Sequence, residues 1–156
     1  MKIAIYGSRH QTGYIDYIVE LVAALHQRGV EVVMISKLYN HILHNYSGRF
    51  GVDYVVGSER NCPQADIAFS IGGDGTFLRA AQWVAPRQMP IFGINTGHLG
   101  YLADHRMEGD FEWLDVLLSG GFRIEERTML KVEVVESDGN IGGWPYALNE
   151  VAVLKK

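Results

Sequence analysis

A glycine-rich stretch separates a strand pattern from a helix pattern near the middle of this 156-residue chain. The apolar run Ile67–Ile71 predicts a buried strand, and Phe77–Ala85 predicts a helix. In α/β proteins the turn between such elements binds phosphate through backbone N–H groups, because glycine removes the Cβ that would keep a ligand away. The predicted phosphate contacts are Gly72, Gly73, Gly75 and Thr76.

Asp74 is the carboxylate in the middle of this turn. A carboxylate repels phosphate, so its presence indicates a second function. It either holds a metal ion or accepts the proton of a hydroxyl that attacks phosphorus. We therefore predict Asp74 as the catalytic residue. The alternative is a plain tight turn, in which Gly-Asp-Gly is also favoured.

Strand and helix patterns alternate from residue 1 to about residue 120. The predicted strands are Lys2–Gly7, Val30–Ile35, Asp66–Ile71 and Pro90–Asn95. The predicted helices are Gly13–Gly29, Ser36–Tyr46, Phe77–Ala85 and Asp110–Leu118. Residues 47–64 are polar and rich in turn formers. The alternation predicts an α/β fold with a doubly wound, mostly parallel sheet, whose ligands lie beyond the carboxyl ends of the strands.

The pattern changes after Gly120 and Gly121. Residues 130–136 alternate apolar and polar side chains, 137–140 predict a turn, and 144–154 are again β-like. We predict an α/β nucleotide-binding domain at 1–120 and, at 121–156, the first strands of a truncated all-β domain. About 35 residues are too few for an independent domain of that kind. The alternative is a hairpin that packs onto the first domain as a small extension.

Net charge indicates which partners the protein can bind, and cysteine content indicates its cellular compartment. A formal net charge of −4 offers no broad positive surface to nucleic acid or to an anionic membrane, so neither is a predicted partner. Cys62 is the only cysteine in the sequence, which favours a reducing compartment. No apolar run reaches membrane-spanning length. We expect a cytoplasmic protein that forms a homo-oligomer.

The segment Asn95–Leu102 follows the fourth predicted strand and is again rich in glycine. Asn95 can present its amide to a base or a ribose, and the Tyr101 ring can stack on an adenine. We predict both as nucleotide contacts. The alternatives are that Asn95 forms a turn and that Tyr101 and Leu102 belong to the core.

Asn149 and Glu150 interrupt an apolar stretch near the end of the sequence. Burial of such side chains is costly unless they are partnered, and the hydroxyls of a ribose are suitable partners. We predict both as ligand contacts. The alternative is one side chain in solvent and the other in a local hydrogen bond.

Other polar positions indicate ordinary surface. His41 and His44 are spaced to share a metal on a helix, but a solvated helix face is the favoured interpretation. Residues 104–106 form a polar cluster that we predict as a solvated loop. No Gly-x-Gly-x-x-Gly follows the first strand and no P-loop is present, which argues against hydride transfer and P-loop chemistry.

Four segments, taken together and in this order, resemble the amino-terminal half of NAD kinase. They are Gly72–Thr76, Asn95–Leu102, Arg127–Leu130 and Ala147–Glu150. The glycine turn alone is shared with diacylglycerol and sphingosine kinases and with phosphofructokinases, whereas the other segments are more particular. The resemblance covers essentially the whole chain.

The resemblance implies a kinase that transfers the γ-phosphate of ATP to the 2′-hydroxyl of the adenosine ribose of NAD, giving NADP. ATP and NAD are then the substrates and Mg²⁺ is the cofactor. Asp74 is implied at the reacting hydroxyl. Asn149 and Glu150 are implied on the dinucleotide, and Asn95 and Tyr101 near the adenine.

This sequence departs from the family in one respect. NAD kinases carry a Thr-Gly-Ser-Thr segment in the second domain, and the sequence does not contain it. We therefore predict that this chain alone is an inactive fragment. Two alternatives to an NAD kinase stay open, namely a lipid kinase of the diacylglycerol type and a non-catalytic nucleotide-binding module.

Overall fold

The computed structural model describes residues 1–8, 12–97, 100–103, 105–107, 110–133 and 145–152. Its strands are β1 (Lys2–Gly7), β2 (Glu31–Ile35), β3 (Tyr54–Val56), β4 (Ile67–Ile71), β5 (Ile91–Asn95), β6 (His105–Arg106), β7 (Leu130–Lys131) and β8 (Tyr146–Ala147). Its α-helices are α1 (Ile15–Gln27), α2 (Ser36–Asn45), α3 (Asp74–Val84) and α4 (Trp113–Leu118). The chain forms two compact units, Met1–Arg123 and Ile124–Lys156.

The first unit is built on a six-stranded parallel sheet in the order β3-β2-β1-β4-β5-β6. In the middle, Ile5 of β1 lies opposite Met34 of β2 and Phe69 of β4. Parallel strands covered on both faces carry apolar side chains at successive positions, which is why they were recognisable as continuous apolar runs. The predicted doubly wound α/β fold is confirmed.

The strand order reverses between β1 and β4, where the chain crosses from one half of the sheet to the other. In open sheets of this kind ligands bind in the crevice at the carboxyl ends of the two strands that flank such a reversal. Gly7 ends β1 and Ser8 follows it there, and Gly72 and Gly73 follow β4. The topology therefore puts the glycine turn beside the ligand crevice of the fold.

Helix α1 shows how local sequence and tertiary contacts combine in this unit. Ile18 and Leu25 face the core at helical spacing and are almost fully buried. Gly29 has a φ of +71° and reverses the chain toward β2. The Arg28 guanidinium donates to both carboxylate oxygens of Asp115, at 2.7 and 2.9 Å, and so ties the end of α1 to α4.

Strand β3 lies in the region 47–64, for which the sequence predicted no element. Asp53 anchors this edge strand to β2. Its backbone N–H donates to the Val32 carbonyl at 3.1 Å, and its carboxylate accepts the Val32 N–H at 2.7 Å. Tyr54 and Val55 are exposed, so the strand lacks the burial that makes the central strands conspicuous.

The prediction that 104–106 form a solvated loop is wrong for His105 and Arg106. These two residues form β6, which extends the sheet by pairing with β5. The His105 ring centroid lies 4.6 Å from that of Trp113 and 5.1 Å from that of Phe92. Aromatic packing across the fold, rather than local polarity, decides the position of this segment. Asp104 lies outside the described residues.

Strands β7 and β8 belong to the second unit. They pair antiparallel, with Leu130 opposite Ala147 and Lys131 opposite Tyr146. This agrees with the predicted change to antiparallel β structure, although the predicted turn at 137–140 lies outside the described residues. The domain division at 120–121 stays a prediction, because compactness alone does not make a unit an independently folding domain.

Candidate functional site

The glycine turn is a sharp exit from β4 into α3. Gly72 has a φ of +150°, which side-chain-bearing residues rarely adopt, and its N–H donates to the Ile94 carbonyl at 2.9 Å. Gly73 precedes the first helical residue, and its carbonyl accepts the N–H groups of Thr76 and Phe77 at 2.9 and 3.1 Å. The helix therefore begins at Asp74, three residues before the predicted start at Phe77.

The Asp74 carboxylate is held by the backbone of residues 100–103, here called the strap. Oδ2 accepts the Tyr101 N–H at 2.9 Å, and Oδ1 accepts the N–H groups of Leu102 and Ala103 at 3.1 and 3.3 Å. The carboxylate also lies in the first turn of α3, where the helix dipole favours a negative charge. Its position is thus set from both sides.

These contacts make Asp74 a stable anion. The Tyr101 N–H contributes most, and together with those of Leu102 and Ala103 it holds the pKa of the carboxyl below its usual range, against a smaller opposing effect of burial. An anion of this kind accepts hydrogen bonds well but is a weak base at neutral pH.

The strap approaches Asp74 so closely that one position in it must be glycine. A Cβ added to Gly100 would lie 2.1 Å from Asp74 Oδ1 and 2.6 Å from its Cγ. On the other side of the strap, a Cβ added to Gly93 of β5 would lie 2.8 Å from Ala103 Cα. Sequence reasoning missed both roles, and the only available signal was the glycine content of the two segments.

The side-chain amide of Asn95 forms hydrogen bonds with Ala103 of the strap and with Gly97. Nδ2 donates to the Ala103 carbonyl at 2.9 Å, and Oδ1 accepts the Gly97 N–H at 2.9 Å. The residue is 4% exposed at the end of β5. The turn-forming alternative therefore describes these contacts, and the predicted contact with a nucleotide stays a prediction.

Tyr101 and Thr76 differ sharply in exposure. The Tyr101 side chain is 97% exposed, so the alternative that it belongs to the core is wrong, and its ring faces are open to a stacking partner. Thr76 is buried in the first turn of α3, whereas Gly75 beside it is exposed. Of the predicted phosphate contacts, Gly72 and Thr76 are buried, Gly73 is half-buried and Gly75 is exposed.

Asn149 and Glu150 lie in the second unit, separated from the end of β8 by Leu148. Both are exposed there, so within that unit neither is the buried polar group that the apolar flanks suggested. Their contact with a dinucleotide stays a prediction.

A further polar cluster consists of Tyr6, near the carboxyl end of β1, Lys37, just after β2, and Glu59, just after β3. The Tyr6 hydroxyl donates to Glu59 Oε1 at 2.7 Å, and Lys37 Nζ lies 3.2 Å from the same oxygen. Burial raises the pKa of Glu59, but the hydrogen bonds from Tyr6 and Lys37 outweigh it and leave that pKa lowered. Sequence reasoning missed this cluster because its members come from three segments without a shared motif.

The part of the chain that the structure describes contains no group of three or more His, Cys, Asp or Glu side chains placed to hold a metal ion. His41 instead has Nδ1 3.2 Å from Asn45 Nδ2, one helical turn further along α2. None of the described helices is both long and apolar enough to cross a membrane.

The fold and the site together define a class: a doubly wound α/β domain with a glycine turn and a backbone-held carboxylate at the ligand edge of its sheet. A family model described as the ATP-NAD kinase N-terminal domain matches residues 3–122. The chain belongs to the NAD kinase family, as its motifs predicted.

Individual relatives agree with this assignment. The NAD kinase of Bacteroides fragilis is 35% identical over 156 residues, which cover 100% of this chain and 52% of that protein. The NAD kinase of Porphyromonas gingivalis strain W83 is 36% identical, covering 99% of this chain and 52% of that protein. The chain thus spans about half the length of these relatives.

A solved structure shares the fold. The crystal structure of yeast NADH kinase complexed with NADH superimposes with a TM-score of 0.74 at 19% sequence identity, covering 94% of this chain and 46% of that one. At this identity the likeness supports the architecture alone.

Proposed function

We propose that the full-length protein is an NAD kinase, which transfers the γ-phosphate of ATP to the 2′-hydroxyl of the adenosine ribose of NAD and releases NADP. The observation that carries the proposal is the Asp74 carboxylate, held by three backbone N–H groups at the carboxyl edge of the sheet. Family membership supplies the reaction class.

Asp74 is suited to orient the hydroxyl. A carboxylate has about four lone-pair directions, and the strap occupies three of them, which leaves roughly one for a substrate hydroxyl. Its lowered pKa makes early removal of the proton unfavourable. Phosphoryl transfer through a loose transition state does not need early removal, and positioning of the nucleophile is then the main contribution. Asp74 therefore receives the proton late, as the new O–P bond forms.

Tyr101 is suited to hold the adenine of the acceptor. Its side chain is almost wholly exposed while its N–H is fixed on Asp74, so a base stacked on the ring would lie close to the orienting carboxylate. An aromatic face binds any base without hydrogen-bond readout. Asn149 and Glu150 complete the proposal as contacts to the same dinucleotide.

The phosphates of ATP are assigned to the glycine turn. Gly73 and Gly75 leave space for a close ligand, since a Cβ added at either would meet no atom within 4 Å. Mg²⁺ would be bound together with ATP. Proteins commonly bind this ion through one or two carboxylates and the phosphates of the substrate. A cytoplasmic location and a homo-oligomer stay predictions.

A substrate comparison tests the proposal. The full-length protein is incubated with ATP and Mg²⁺ and either NAD or vesicles that contain diacylglycerol, and labelled phosphate is followed into each. We expect NADP and no phosphorylated lipid. Lipid phosphorylation would favour the diacylglycerol-type kinase, and nucleotide binding without turnover of either acceptor would favour the non-catalytic module.

A further inference from the structure

We propose that Gly100 and Asn95 are positioning residues for Asp74. Gly100 leaves room for the strap beside the Asp74 carboxylate, and Asn95 holds the Ala103 end of the strap by a hydrogen bond. The inference rests on the proposed function, because it assigns to both residues an effect on catalysis that passes through Asp74. It also gives Asn95 a role different from the nucleotide contact that its motif predicted.

Gly100 provides the space that the strap needs. The Cβ of an alanine there would fall 2.1 Å from Asp74 Oδ1, well inside the closest approach that real Cβ atoms show. The neighbouring atom belongs to a short side chain that is already fixed by three N–H groups, so it cannot swing away cheaply. Either the carboxylate or the strap must move, and both movements break the same hydrogen bonds.

Asn95 closes the strap from the side of the sheet. Ala103 is held at both of its backbone groups, because its carbonyl accepts from Asn95 Nδ2 at 2.9 Å and its N–H donates to Asp74 Oδ1 at 3.3 Å. The Asn95 side chain is almost fully buried, so its hydrogen bonds are shielded from competing water. Loss of this clamp frees the end of the strap that contacts Oδ1.

The two possible roles of Asn95 predict different kinetics. A residue that touches NAD contributes to substrate binding, so its loss raises KM. A residue that positions Asp74 contributes to the oriented reactive state, so its loss lowers kcat while KM stays near its original value. The strap N–H groups give a second readout that does not depend on activity, since hydrogen-bonded amides exchange slowly with solvent deuterium.

The experiment compares Gly100→Ala and Asn95→Ala with the control Gly57→Ala. Gly57 is exposed and directly follows β3, and a Cβ there meets no atom within 4 Å. Amide exchange at residues 101–103 is measured by NMR on the 156-residue chain. The values of kcat and KM for NAD are measured on the full-length protein. For both test variants we expect exchange about tenfold faster or more and kcat about tenfold lower, with KM changed less than about twofold. The control should match the wild type in both.

Two results would overturn the inference. Strap amides that exchange at the wild-type rate in Gly100→Ala would show that the space is not needed. A raised KM with unchanged kcat and unchanged exchange in Asn95→Ala would assign Asn95 to the nucleotide. Should Asn95→Ala fail to fold, Asn95→Asp replaces it, because it keeps the acceptor for the Gly97 N–H and loses only the donor to the Ala103 carbonyl. A wild type that makes no NADP would refute the proposed function, whereas amide exchange would still test the strap.

Discussion

Asp74 and Tyr101 are 27 residues apart in sequence, yet Asp74 Oδ2 accepts the Tyr101 N–H at 2.9 Å. Tyr101 thereby fixes its backbone on the carboxylate while its ring remains in solvent. The two residues that the motifs assigned to the reacting hydroxyl and to the adenine are thus one hydrogen bond apart. A ligand stacked on this ring, as proposed, would lie close to the carboxylate.

Replacement of Asp74 by asparagine should lower kcat of the full-length protein by at least about 100-fold. The substitution removes the charge, and the new amide nitrogen would face strap N–H groups that need an acceptor. Steady-state kinetics with ATP, Mg²⁺ and NAD measure the effect. Asp16→Asn, an exposed change in the first turn of α1, is the matched control and should leave kcat unchanged. Near wild-type kcat in a folded Asp74→Asn variant would show that Asp74 only shapes the turn.

Removal of the Tyr101 ring should weaken nucleotide binding without affecting the fold. Loss of base stacking costs about 1–3 kcal/mol, so we expect KM for NAD to rise by about tenfold in Tyr101→Ala. Tyr101→Phe keeps the ring face and should retain wild-type KM. Thermal unfolding should be nearly the same in all three proteins, because the side chain is almost wholly exposed. Equal KM values for the alanine and phenylalanine variants would refute the stacking assignment.

Asp53 should make the stability of the first unit depend on pH. The Val32 N–H contributes most to lowering its pKa below the ordinary 3.8, and His26 adds to the effect. Because the folded pKa is depressed, the carboxylate stabilises the fold above the unfolded pKa and loses that contribution as the pH falls through the folded pKa. The gap in free energy of unfolding between wild type and Asp53→Asn should be larger at about pH 7 than at about pH 3. Denaturant titrations of the two proteins at both pH values measure this gap, and a gap independent of pH would contradict the assignment.

The 156-residue chain by itself should form no measurable NADP. It spans about half the length of its relatives, and a dinucleotide needs walls on both sides of the reacting ribose. An assay of the purified chain with ATP, Mg²⁺ and NAD tests this, with the full-length protein as the positive control. NADP formation that disappears in Asp74→Asn would mean that these 156 residues are sufficient for the reaction.

Local sequence was sufficient for the central strands and for the place of the glycine turn. Strands β1, β2, β4 and β5 are mostly buried, so each is a mainly apolar run that is easy to recognise. The turn after β4 needs a positive φ at Gly72, and a short-range pattern is enough to mark such a position. The family motifs could also be recognised from local sequence, because each is a contiguous stretch.

Contacts between distant segments decided the rest. Strand β3 depends on Asp53 reaching Val32, and β6 depends on His105 packing against Trp113, so neither has a local signature. Glycine is required at position 100 because the backbone there passes close to Asp74. The two segments come close only when β4 and β5 pair in the sheet. Residue types and spacing specify which side chains are available at the sheet edge. The strap that holds the carboxylate requires the packed fold, because hydrogen bonds across 27 residues of sequence form only when the core has brought their ends together.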